Sequence, residues 1–186
     1  MKVLIGLGNP GKQYSKTKHN FGFWIIDALA KRCSLKFREG KGNYIFAKKR
    51  DIFFVKPTTY MNNSGIAISE LCNYYKFIHE DLLVIYDDID LLLGNFKYKK
   101  YGGSGGHKGV ESIIYQLGSE SFNRLRIGIL TEESVKPLEN YVLSSFSKKY
   151  NEEINNIIDI TCESIKYYFN NNIEDTMNKY NKKRKE

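Results

Sequence analysis

Residues 6–23 read Gly-Leu-Gly-Asn-Pro-Gly-Lys-Gln-Tyr-Ser-Lys-Thr-Lys-His-Asn-Phe-Gly-Phe, and His19 is the only histidine among them. An imidazole titrates near neutrality. It can take a proton from water if a carboxylate accepts from its other nitrogen and fixes the tautomer. Asp87, Asp88 and Asp90 supply carboxylates directly after an apolar run, with Asp87 the best placed to hold the ring. Two alternatives stay open on residue types alone. An isolated histidine is often structural or solvated, and three clustered carboxylates can bind a hard cation, although no Walker-type phosphate loop accompanies these. Asn9 and Asn62 form a second pair. A side-chain amide offers two donors and an acceptor, which suits it to a peptide backbone, and a donor aimed at a carbonyl would stabilise an oxyanion. The alternative for both is turn capping.

Gly6-x-Gly8-x-x-Gly11 also spells a dinucleotide fingerprint. That reading needs a helix whose free N–H groups meet a pyrophosphate. Pro10 removes one donor and disfavours helix at Asn9. Residues 12–18 are polar and lack an apolar stripe, so the fingerprint is set aside.

The elements that would position these groups alternate between strand and helix. Val3-Leu4-Ile5 reads as a buried strand and residues 23–30 as a helix. Residues 43–47 and 52–55 form a hairpin around the polar turn 49–51, ended by Lys56-Pro57. A helix follows over 64–77, with Ile66, Ile68, Leu71 and Tyr75 as its apolar face. Residues 82–86 are a fully apolar strand, and the acidic run lies just past its end. Residues 96–99 alternate as a half-exposed strand. The glycine-rich loop 102–106 leads into a helix over 108–117. Residues 125–129 are a last strand, 137–143 a short helix and 154–169 a longer amphipathic one. The expected fold is α/β: a single domain over 1–186 with a mixed, mostly parallel twisted sheet and helices on both faces. Residues 179–186 read as a disordered basic tail. The candidate residues fall just after strands or in nearby loops, the edge where open α/β sheets bind ligands.

Composition sets the bounds. The 186 residues suffice for one sizeable core, and 41% apolar with 27% charged residues is ordinary for a globular chain. No stretch approaches a membrane span, and the N-terminus lacks a basic-then-apolar leader pattern, so a cytoplasmic protein is expected. Cys33, Cys72 and Cys162 suit neither a disulfide framework nor a metal pair. The net charge of +8 favours an anionic partner, although a lysine-rich tail carries much of the excess.

Three ordered stretches carry a resemblance. Gly6-Leu7-Gly8-Asn9-Pro10-Gly11 continues to Tyr14, Thr17, His19-Asn20 and Gly22-Phe23. Lys56-Pro57-Thr58-Thr59-Tyr60-Met61-Asn62-Asn63-Ser64-Gly65 is the second stretch. Asp87-Asp88-Ile89-Asp90, then Gly102-Gly103-Ser104-Gly105-Gly106-His107-Lys108-Gly109, is the third. Together they resemble the signature of the bacterial peptidyl-tRNA hydrolase family from about residue 1 to 146. The resemblance implies hydrolysis of the ester between a peptide and the 3′-terminal ribose of tRNA, which returns tRNA to use. It makes His19 the general base, oriented by Asp87, with Asn9 and Asn62 beside it in the peptide crevice. It implies substrate contacts at Tyr14, Tyr60, Asn62 and Lys108, Tyr60 as an apolar wall and Tyr14 near the RNA end. His107 reads as structural. Lys97, Lys99 and Arg126 are candidates for the tRNA-binding face. The family usually has His at the place of Ser104 and Asn at the place of Lys108, so Lys108 would meet a phosphate or sugar as a point charge. No cofactor or metal is implied, the partner is peptidyl-tRNA, and the expected form is a monomer. The competing reading is an RNA-binding protein of the same fold without hydrolysis.

Overall fold

The computed structural model describes residues 1–133 and 137–181. Its strands are β1 (Lys2–Gly6), β2 (Arg38–Glu39), β3 (Tyr44–Lys49), β4 (Ile52–Pro57), β5 (Leu82–Leu92), β6 (Phe96–Lys99) and β7 (Asn123–Leu130). Its helices are α1 (Phe21–Arg32), α2 (Ser64–Tyr75), α3 (Lys108–Leu117), α4 (Leu138–Val142), α5 (Asn151–Asn170) and α6 (Ile173–Tyr180). The strands form one sheet in the order β2-β3-β4-β1-β5-β7-β6. The four inner strands β4, β1, β5 and β7 run parallel to one another. The β2–β3, β3–β4 and β6–β7 pairs are antiparallel. This is the mixed, mostly parallel α/β sheet expected from the alternation of elements.

Helices cover both faces, so the central strands are apolar on both sides. Leu4, Phe54, Leu83, Ile85, Leu125 and Ile127 pack with α1, α5 and Ile173 of α6 on one face. Val3, Ile5, Phe53, Val55, Leu82 and Val84 pack with α2 and α3 on the other.

Three expectations are corrected. Ile66, expected on the apolar face of α2, is exposed; Ile68 and Leu71 face inward as expected, joined by Ala67 and Cys72. Gly65 lies against α3, where an added Cβ would come 2.0 Å from the Ser112 carbonyl oxygen. That close approach sets the rotation of α2. The acidic run does not follow β5 but lies inside it. β7 continues alongside, pairing Ile127 with Asp87 and Gly128 with Asp88 before the register shifts towards Leu92. Lys179 and Tyr180, expected in a disordered tail, belong to α6; residues 182–186 lie outside the described residues. Just after α6, the Asn181 side chain accepts from the Tyr98 N–H at 2.8 Å and donates to the Tyr98 carbonyl at 2.8 Å, capping the edge strand β6.

Candidate active site

A cleft of about 620 Å³ opens past the end of β1, beside residues 86–90 of β5 and Arg124 and Arg126 of β7. His19, Asn9, Asn62 and Asp87 all line it. His19 sits in a single 3₁₀ turn, Lys18–Asn20, immediately before α1. Its Nδ1 lies 2.9 Å from both Asp87 carboxylate oxygens. A carboxylate only accepts, so Nδ1 carries the proton and Nε2 keeps its lone pair.

Asp87 is almost wholly buried and has a second imidazole on it. His107 Nε2 donates to Asp87 Oδ1 at 3.1 Å. The other His107 nitrogen, Nδ1, accepts the Val110 N–H at 3.3 Å as the N-cap of α3, which fixes that ring as neutral with its proton on Nε2. Burial alone would push the Asp87 carboxyl up. The electrostatic attraction of the His19 and His107 rings, whose N–H groups face the carboxylate, and their hydrogen bonds outweigh it and hold the carboxyl well below its usual range. Asp87 is therefore a fixed anion beside the ring that would gain a proton.

Asn9 follows β1 and is clamped on three sides. Its Oδ1 accepts the Met61 N–H at 2.7 Å. Its backbone N–H donates to Asn20 Oδ1 at 2.8 Å, and its carbonyl accepts from Asn20 Nδ2 at 2.9 Å. The carbonyl end of the side chain is thus engaged, which leaves the Nδ2 group to donate into the cleft. Asn62, in the turn after Tyr60, is exposed at the cleft wall. Tyr60 and Tyr14 do not line the cleft. They pack edge to face on each other with centroids 6.1 Å apart, and Tyr60 is 54% exposed. The inward place in that turn belongs to Met61, which is buried and does line the cleft. Tyr60 is therefore not its apolar wall.

The basic candidates divide. Lys99 and Arg126 line the cleft, whereas Lys97 is exposed on β6 outside it. Arg126 Nε donates to Asp88 Oδ2, so its charge is partly engaged. Lys108 opens α3 at the cleft with its Nζ 3.1 Å from Glu111 on an exposed face. Its ammonium is therefore paired with a neighbour one turn on. Arg124 was not singled out from sequence. It is fully buried at the cleft, donating to the Gly103 carbonyl at 2.6 Å and the Glu120 carbonyl at 3.3 Å, and it holds the glycine-rich loop. The pattern that could have found it is its place two residues before Arg126 on an otherwise apolar strand. The remaining wall is α4, through Leu138, Glu139 and Val142, with Leu143 beyond it.

The Asp87–Asp88–Asp90 cation site does not assemble. Asp87 is taken by two histidines, while Asp88 accepts from Arg126 and from the Asp90 N–H. Among the described residues, the group that could hold a metal ion is His19, Asp87 and His107, whose ligand atoms lie within 4.8 Å of one another. Both ring nitrogens are directed at the same Asp87 oxygen, an arrangement already satisfied by protons.

The family model described as peptidyl-tRNA hydrolase matches residues 3–186. A peptidyl-tRNA hydrolase of Thermodesulfovibrio yellowstonii is 44% identical over 98% of this chain and 100% of its own length. One from Mesomycoplasma hyopneumoniae is 40% identical over 97% of each. The crystal structure of a peptidyl-tRNA hydrolase from Acinetobacter baumannii superposes with a TM-score of 0.90 at 29% identity, over 98% of this chain and 95% of that one.

Proposed function

Since the chain belongs to the peptidyl-tRNA hydrolase family, we propose that it hydrolyses the ester joining a peptide's terminal carboxyl to the 3′-terminal ribose of tRNA, with His19 as general base. The observation that carries this reading is the 2.9 Å contact between His19 Nδ1 and Asp87, which leaves Nε2 basic at the cleft. Water gives a proton to Nε2 and its oxygen bonds to the ester carbonyl carbon. The carbonyl oxygen becomes an oxyanion, to which Asn9 Nδ2 donates, with Asn62 beside it. Asp87 stabilises the imidazolium. Collapse of the intermediate breaks the bond to the ribose oxygen, which takes the proton back from His19. Water is activated by a side chain, so no step calls for a metal or cofactor. Lys97, Lys99 and Arg126 would meet the RNA, and the enzyme would act as a cytoplasmic monomer.

The test is hydrolysis of N-blocked aminoacyl-tRNA by the wild type and by His19→Ala. The wild type should turn over in EDTA, and the variant should lose about 10²–10⁴ in kcat while keeping its fold. Tight tRNA binding without turnover by the wild type would favour an RNA-binding role.

A further inference from the structure

Lys18 is a lysine that folding has removed from water: the residue is 4% exposed. Its ammonium lies 4.3 Å from the Tyr141 ring centre and 5.0 Å from that of Phe146. It donates to Ser144 Oγ at 2.7 Å and to the Ser145 carbonyl at 3.0 Å. The nearby Glu133 is paired instead with Lys149 at 2.7 Å. The backbone repeats the tie, with the Lys18 N–H on the Ser144 carbonyl at 3.0 Å and Thr17 bridged antiparallel to Ser145.

All of these contacts land on residues 141–146, at the end of α4. The next residue along is His19, and α4 presents Leu138, Glu139 and Val142 to the same cleft. Burying an ammonium is costly, and an apolar chain would fill the space between two rings without that cost. What the ammonium adds is a directional tie to two oxygens.

We propose that Lys18 is a positioning residue that locks the His19 turn to the α4 segment, so that the base and this wall of the cleft hold one separation. The proposal rests on His19 being the base. A displacement of about 1 Å at a reacting group can cost on the order of 10²-fold in rate.

The experiment compares Lys18→Met with Lys18→Met carrying Thr17→Cys and Ser145→Cys. The paired backbone of the 17–145 bridge suits a disulfide. The chain has three histidines, so proton NMR can follow His19 against His79 and His107. Lys18→Met should shift the His19 titration and lower kcat by about 10- to 100-fold. The oxidised disulfide should restore both, and reductant should abolish the rescue. Ser144→Ala, which keeps the lysine, should show a smaller loss in the same direction. A Lys18→Met protein with lower Tm but unchanged His19 titration and kcat would overturn the proposal, and so would a crosslink that forms without rescue. If His19→Ala proved fully active the base assignment would fall, yet the titration shift would still report the latch.

Discussion

His19 and His107 compete for one carboxylate, and this makes Asp87 more sensitive than an ordinary helper. Asp87→Asn keeps the shape but offers one carbonyl oxygen to two imidazole N–H groups. That oxygen can accept from both, as Asp87 Oδ1 does, but the amide NH2 then stands where the second oxygen faced the His19 N–H at 2.9 Å, and a His19 ring that changes tautomer to accept from it turns its basic nitrogen away from water. A kcat loss of about 10²-fold or more is expected, in steady-state assays at neutral pH. The same substitution should change the response to acid. The Asp87 carboxyl is depressed in the folded state, so its stabilisation is complete above the ordinary carboxylate value of about 4 and is lost as pH falls below it. Thermal melts from pH 5 to 2 should therefore decline less steeply for Asp87→Asn than for wild type. His19, Asp87 and Asn9 were legible as candidates because they are motif residues of unusual type, Asp87 directly after an apolar run and Asn9 just past another. The His107–Asp87 contact was not, since it joins residues 20 apart through the fold. Nor could sequence tell that Met61 turns inward and Tyr60 outward, because a 3₁₀ turn has no alternation to read.

At the level of elements, the strand and helix order was readable from periodicity, while the ends and rotations depended on neighbours. β5 runs through its acidic residues because β7 supplies partners there. α2 turns Ile66 to solvent because α3 presses on Gly65. Gly65→Ala weighs two effects. Alanine favours an isolated helix by about 1 kcal/mol over glycine, but its Cβ would meet a backbone carbonyl at 2.0 Å, which forces α2 and α3 apart at about 1–3 kcal/mol or more. Net destabilisation is expected, visible as a lower urea midpoint at unchanged m-value. On β6, Lys97 and Lys99 are exposed. Reversing either to Glu should weaken tRNA binding, and the defect should shrink as salt rises. Cleavage of a minimal nucleotide ester should change far less, and equal loss on both substrates would instead mark a folding defect.

For the whole molecule, a chain of net charge +8 closes its sheet with a residue made late. Tyr98 on β6 waits for Asn181, 83 residues downstream, to take its N–H and carbonyl. Asn181→Ala leaves α6 in place but strands both groups, at a cost of about 1–3 kcal/mol. It should also raise self-association in light scattering, and a monodisperse, equally stable variant would show that the cap does not guard the edge. Time gives this cap another meaning. β6 pairs only with β7, so at about 5–20 residues per second of synthesis the edge stays uncapped for on the order of 3–10 s, the time from the end of β7 at Leu130 to Asn181. During that interval the outward charges of Lys97 and Lys99 are what deters a second strand from pairing there. The lysines proposed to meet RNA in the finished enzyme would thus also guard the open edge of the unfinished one.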